Sequence, residues 1–316
     1  MSGHLFELPY PDLSAERAGN TGVEGIWHFD SGVPGRNAMV TALVHGNELC
    51  GAWAIKEALA LGLRPRTGTL TLAFANLAAF DSFDPANHDK SRFLDEDLNR
   101  VWSDEKLADP RTRERQRALA MLPWVKQADW LLDLHSMHEP CAPLLLTGIQ
   151  PRNLELARKL AAPRHVIVDA GHKDGVRMRD YGRFVDLEEN GTRTLLIECG
   201  FHGALESRAV AKDQVARFLV ESGVISQDDV PADWFLPLPE DQLAIEVTQP
   251  VVSPSMDFRF TQPWQGLEEI EKAGTVIGWA DGVPVTTPYD NCTLVMPSLR
   301  QLLPGVTVVR LAKRVA

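Results

Sequence analysis

The chain has 316 residues, 44% of them hydrophobic, and a formal net charge of −11. That length suits one large α/β domain with a small second one, and the acidic balance speaks against nucleic acid or an anionic membrane as partner. With no apolar stretch of membrane-spanning length, no basic leader before an apolar run, and four scattered cysteines, a soluble cytoplasmic protein without disulfides is expected.

Residues 1–36, rich in Gly, Pro and Asp, read as a lead-in strand or loop. The strand-like MVTALV (39–44) gives way at Gly46 to a helix over LCGAWAIKEALALGL, with Gly62 as its stop. TLTLAFAN (69–76) is the next strand, and a long polar stretch, 81–109, follows. Loops of that length in a compact domain are usually functional or disordered. Pro110 opens a helix over 111–122, after which a strand ends at His135. PLLLTG (143–148) reads as a strand, NLELARKLAA as a helix and HVIVDA as a strand. A strand ending at Glu198 and the helix ESRAVAKDQVARFLVESG complete an alternation that indicates a sheet with helices on both faces. Pro231, Pro237 and Pro239 mark a linker, and the short strand-like pieces beyond it predict a small all-β domain. The expected domains are therefore 1–230 and 240–316.

Three apolar runs stop on residues that can bind or serve a metal: MVTALVHGNE with His45 and Glu48, ADWLLDLH with His135, and TRTLLIE with Glu198. In an open α/β sheet, ligands sit outside the carboxyl ends of the strands, so these four side chains would converge there. Two histidines and a glutamate with an open position, plus a second glutamate as base, is the composition of a catalytic zinc site. Each residue alone has a plainer reading: a capping carboxylate for Glu48, a satisfied core histidine for His135, a salt bridge for Glu198. Asp133, two residues before His135, can orient a ligand histidine or cap a loop. Arg92, Asn99 and Arg100, around the run DLNR, can hold a carboxylate or belong to a solvated charged loop.

HGNE, RFLDEDLNR, DLH and IECG, in this order and spacing, resemble the succinylglutamate desuccinylase/aspartoacylase family, a branch of the zinc-carboxypeptidase superfamily, over roughly residues 37–220. The resemblance implies a three-layer α/β/α hydrolase domain with a mixed sheet beside a β-rich C-terminal domain. It implies one zinc held by His45, Glu48 and His135, with Glu198 as general base. Arg92 would polarise the scissile carbonyl, and Asn99 and Arg100 would bind the substrate carboxylate. An arginine for an acyl carboxylate should lie shortly before the base, where Arg183 and Arg193 both qualify; Arg183 is taken as the candidate. His138 and His202 are left unplaced by the resemblance; both could line the pocket, and the default is loop histidines without a role. Cys50 and Cys199 adjoin the motifs but lack partners at ligand spacing, so they read as small buried side chains.

The stretch 271–309 resembles a biotinyl/lipoyl-type half-barrel without a lysine at the hairpin tip, which implies a shape and no carrier function. Such a unit would wall off the cleft or supply a homo-oligomer contact. No Gly-rich phosphate loop is present, against a nucleotide enzyme. The expected activity is zinc-dependent hydrolysis of the amide of a small N-acyl amino acid. The rivals are a carboxypeptidase-type peptidase on short peptides, an esterase, and a binding protein that keeps only the fold.

Overall fold

The computed structural model describes residues 4–171 and 175–315. The lead-in, of which residues 1–3 lie outside those described, contains strand β1 (Ile26–Asp30). Then come β2 (Asn37–Ala42), helix α1 (Leu49–Ala60), β3 (Thr69–Phe74) and the single turns α2 (Leu77–Phe80) and α3 (Asp104–Leu107). Helix α4 (Arg113–Gln127), β4 (Trp130–Met137), β5 (Leu144–Leu146), α5 (Pro151–Leu160) and β6 (His165–Val168) follow. Strand β7 (Arg193–Phe201) and helix α6 (Glu206–Ser222) close the α/β part. The C-terminal strands are β8 (Leu243–Val252), β9 (Phe258–Phe260), β10 (Glu269–Ile270), β11 (Val276–Ala280), β12 (Val283–Thr286), β13 (Cys292–Val295) and β14 (Thr307–Arg314).

Eleven strands form one mixed sheet in the order β1-β3-β2-β4-β7-β5-β6-β8-β14-β13-β10, and β12-β11-β9 form a separate antiparallel sheet. The central β3-β2-β4-β7 block is parallel. Its strands alternate sides with a period of two. Val40, Leu72, Leu132 and Leu195 pack toward α1, α5 and α6, while Met39, Ala73 and Leu131 pack with Ala118, Met121 and Val125 of α4 on the other face. This is the three-layer α/β/α arrangement. Parallel pairing of β6 with β8 carries the hydrogen-bonded sheet on into the C-terminal strands, which also enclose a small core of their own around Ile277, Leu294 and Val309. Among the described residues, no helix is long and apolar enough to cross a membrane.

Several boundaries differ from expectation. Helix α4 is capped by the Thr112 side chain rather than opened at Pro110, and it continues through Pro123 to Gln127. Pro123 and Leu119, whose carbonyl loses its partner, both lie on the exposed face, where water can take the vacated bond. Strands β4 and β7 each run past the residue on which the apolar run ends, to Met137 and Phe201.

Candidate active site

His45 and Glu48 occupy the turn from β2 into α1. Leu43 takes φ +58° there, a left-handed conformation that a leucine holds at a cost of about 1–3 kcal/mol. Gly46 is wedged against the chain: a Cβ would meet the Ala79 carbonyl carbon at 2.3 Å and the Ser91 oxygen at 2.5 Å. Its N–H donates to the Arg92 carbonyl, which fastens the Arg92 loop to the turn. On the sheet, His135 of β4 and Glu198 of β7 are direct register partners. Just beyond them β7 gains one residue on β4, with Gly200 at φ +109°. A bulge of this kind re-aims side chains and is common beside active sites.

Both histidines turn Nδ1 toward one carboxylate. His45 Nδ1 lies 2.8 Å from Glu48 Oε1, and His135 Nδ1 lies 2.8 Å from Glu48 Oε2. Their other nitrogens face carboxylates behind them, His45 Nε2 to Asp97 at 3.0 Å and His135 Nε2 to Asp133 at 2.8 Å. Asp133 also accepts from the Thr41 hydroxyl at 2.6 Å. The donor atoms of His45, Glu48 and His135 all lie within 4.8 Å of one another, and all three residues are buried. A carboxylate on the far nitrogen fixes the tautomer of a ligand imidazole and raises its basicity. The donor set, two Nδ1 atoms and a carboxylate, therefore fits a single divalent ion with a position left for water.

The charges respond to this packing. Burial drives the Glu48 carboxyl upward, but the imidazoles of His45 and His135 outweigh it and hold it well below the carboxylate range. Burial works against a charged His135, yet Asp133 and Glu48 bring it well above the ordinary histidine value. Asp97 is likewise held well below its usual value, with Arg92 and His45 overcoming burial. Glu198 moves the other way: burial, reinforced by the Glu48 charge, pushes its carboxyl well above the usual range. Among the described residues its Oε2 is buried without a hydrogen-bond partner. Arg92 Nη2 holds Asp97 at 2.8 Å and Nη1 stands 3.7 Å from Glu48, while its Nε is unpartnered.

These groups open onto a cavity of about 640 Å³ lined by His45, Glu48, Arg92, Asn99, Arg100, His135 and Glu198, and by C-terminal residues such as Met296, Arg300 and Arg310. The volume is that of a small-molecule site. The structure thus brings seven of the eight expected residues together. Asn99 is buried, with its Oδ1 accepting from the Met178 N–H. Arg183 is the exception: it lies outside this cavity, its guanidinium meeting Glu189 and Asp129 toward the surface. Arg193 also lies away, with its guanidinium on the Asn190 and Thr192 carbonyls. The arginine that this segment turns into the cavity is Arg177, held by Asp169 and Asp180. Order along the chain could not distinguish the two, because Asp169 selects Arg177 only once β6 is placed.

His138 and His202, expected by default as loop histidines, join a chain of contacts in which Ser136 and His202 are buried and His138 and Asp89 are half-buried. Ser136 Oγ meets His202 Nδ1 at 2.8 Å, His202 Nε2 meets His138 Nδ1 at 3.3 Å, and His138 Nδ1 meets Asp89 at 2.9 Å. Gln301 Nε2 reaches His138 Nε2 at 3.1 Å, and Arg300 bridges Glu139 and Asp89, so the C-terminal loop is tied down at the cavity rim. Burial lowers both imidazoles, His202 the further, while the hydrogen bond to Asp89 opposes it at His138. Cys50 and Cys199 are buried free thiols behind the site, as expected.

The profile of the succinylglutamate desuccinylase/aspartoacylase catalytic domain matches residues 34–220. Among solved structures, a succinylglutamate desuccinylase from Vibrio parahaemolyticus aligns with 93% of this chain and 87% of its own at 17% identity and a TM-score of 0.66. A succinylglutamate desuccinylase/aspartoacylase from Rhodobacter sphaeroides covers 93% and 90% at 20% identity and 0.65. The product-bound ectoine utilization protein EutE (DoeB) from Ruegeria pomeroyi covers 88% and 85% at 18% identity and 0.61. At these identities the likeness is one of fold. No curated protein sequence matches the chain.

Proposed function

The chain belongs to the succinylglutamate desuccinylase/aspartoacylase family, and from that premise we propose that it is a zinc-dependent hydrolase cleaving the amide bond of a small N-acyl amino acid. The observation that carries the reading is the convergence of two imidazole Nδ1 atoms on Glu48, each imidazole backed by a carboxylate, opposite a Glu198 whose Oε2 is buried and unpartnered. His45, Glu48 and His135 would hold the ion, and this nitrogen-rich donor set with an open position favours zinc over harder cations. Bound there, zinc supplies Lewis acidity and makes water a usable nucleophile near neutral pH.

In this reading Glu198 accepts the proton of the water that attacks the acyl carbon and returns it to the amine nitrogen as the C–N bond breaks. Its carboxyl, raised by burial and by the Glu48 charge, holds a proton more readily than an ordinary glutamate, which suits a group that must take one and pass it on. Arg92 faces the carbonyl oxygen as negative charge develops, and a well-placed donor of that kind contributes about 3–4 kcal/mol. Asn99 and Arg100 hold the amino-acid carboxylate so that the carbonyl lies beside Glu198, a positioning effect.

The test is metal analysis of the untagged protein and of a His45→Ala/His135→Ala variant, followed by a panel of N-acyl amino acids against dipeptides. About one zinc per chain in the wild type, none in the variant, and cleavage of N-acyl amino acids are expected. Failure to take up zinc would overturn the metal assignment and every role built on it. A preference for dipeptides would instead make the protein a peptidase.

A further inference from the structure

Away from the metal-binding residues, the cavity wall beyond Glu198 turns apolar. Leu196 lies two residues before Glu198 on the same face of β7, and its register partner on β5 is Leu146. Both line the cavity and belong to one contiguous apolar cluster with Met137, Cys141 and Met296. Gly266 seals this patch from the C-terminal side. A Cβ there would stand 2.5 Å from Cys141 Sγ, so the backbone packs directly on the thiol. Met296 is presented to the cavity from an unusual backbone: φ is +53°, and the next residue is Pro297. A bulky L residue avoids the left-handed region, and a residue before proline avoids helical conformations. Strain of this kind persists where the surroundings over-determine it, and it gathers at ligand sites.

The groups proposed to hold the carboxylate are not part of this apolar cluster. Asn99 and Arg100 follow Asp97, which is bonded to His45, and their loop is fastened to the β2–α1 turn through Gly46 and Arg92. In the sheet, β2 and β5 flank the β4–β7 pair on opposite sides. With its carboxylate on that loop and its amide at Glu198, a substrate can extend its acyl chain along the β5 side, where Leu146 and Leu196 line the cavity. The arginines that line the cavity besides Arg92 and Arg100 already face carboxylates: Arg177 is held by Asp169 and Asp180, Arg300 by Glu139 and Asp89, and Arg310 faces Asp169 at 3.9 Å.

Resting on the deacylase reading above, we propose that this wall is the acyl subsite, that Met296 sets its depth, and that the acyl group is an apolar chain of several carbons rather than acetyl or a dicarboxylic acyl. The test is kcat/KM of the zinc-loaded protein on N-acetyl, N-succinyl, N-butyryl, N-hexanoyl and N-benzoyl derivatives of a set of amino acids. The same series is run on Met296→Gly and Met296→Trp. Wild-type values should rise roughly fourfold per added methylene until the pocket is filled, with succinyl below hexanoyl. Met296→Gly, which also relieves the backbone, should move the optimum to longer chains, and Met296→Trp should move it toward acetyl. Acetyl or succinyl preferred over hexanoyl, or an acyl profile unmoved in both variants, overturns the proposal while leaving the deacylase reading intact. No cleavage of any N-acyl amino acid overturns both. If the variants fail to fold, the wild-type series decides together with thermal protection by hexanoate against succinate, and equal or better protection by succinate overturns the subsite.

Discussion

Asp133 offers a sharp test of how the centre is held together. It is fully buried, bonded through one oxygen to His135 Nε2 at 2.8 Å and through the other to the Thr41 hydroxyl at 2.6 Å. In Asp133→Asn the amide oxygen can still accept from His135 and the amide nitrogen can donate to Thr41, so shape and bond count survive and only the charge is lost. Asp133→Ala also removes both acceptors. Loss of a carboxylate behind a ligand histidine typically weakens metal binding by about 10–100-fold, equivalent to roughly 1.4–2.7 kcal/mol. We expect Asn near the lower end of that range and Ala at or beyond the upper end, because Ala leaves the buried Thr41 hydroxyl without an acceptor. A chelator-competition titration with zinc at pH 7 measures the affinity, and thermal melting of the metal-free proteins separates it from folding. An Asn variant with unchanged zinc affinity would refute the idea that this charge governs the imidazole.

Glu198→Gln should keep its metal and lose a factor of about 10²–10⁴ in kcat, read by single-substrate kinetics beside elemental analysis. The same variant should melt higher than wild type at neutral pH when metal-free. A carboxyl raised in the fold stays protonated where the unfolded chain has released its proton, so stability falls as pH rises from about 4.3 toward the raised value, and Gln removes that loss. A gap between the two proteins that fails to narrow toward pH 4 would count against it. Glu48 and Asp97 carry the opposite sign: their depressed carboxyls contribute stability present above the ordinary carboxylate range and lost as pH falls toward their folded values. Metal-free melts from pH 6 to pH 3 should show that decline. Arg100→Ala should raise KM for carboxylate-bearing substrates far more than it lowers kcat. Gly46→Ala should destabilise by about 1–3 kcal/mol in denaturant titration, because the added carbon collides with backbone rather than with a yielding side chain.

The centre was readable in sequence because its chemistry sits where periodicity changes. His45 follows the buried run that begins in β2, and His135 and Glu198 fall at the end of continuous apolar runs that mark them as strands. What local pattern could not carry was pairing between distant segments. The parallel contact of β6 with β8 joins residues about eighty apart and makes one sheet of what composition divides at the prolines. The same limit explains Arg183. Its sequence position suits a pocket arginine, but the turn at 182–184 faces Asp129 and Glu189, while Arg177 meets Asp169 across the end of β6. His138 and His202 belong to this class too. Their significance lies in Ser136, Asp89 and Gln301, three segments that meet only in the folded chain.

Because His135 and Glu198 are neighbours across one pair of hydrogen-bonded strands, their separation is a property of backbone spacing. Neighbouring strands lie about 4.8 Å apart whatever side chains they carry. On the proposed reading, proton transfer is thus carried by paired strands of the central sheet, whereas the far wall of the cavity is borrowed from the loop between β13 and β14. The two can drift independently. If the deacylase proposal holds, substitutions over 296–306 should change which molecules fit without retuning the proton transfer, which makes that loop the natural library for altering what the protein accepts.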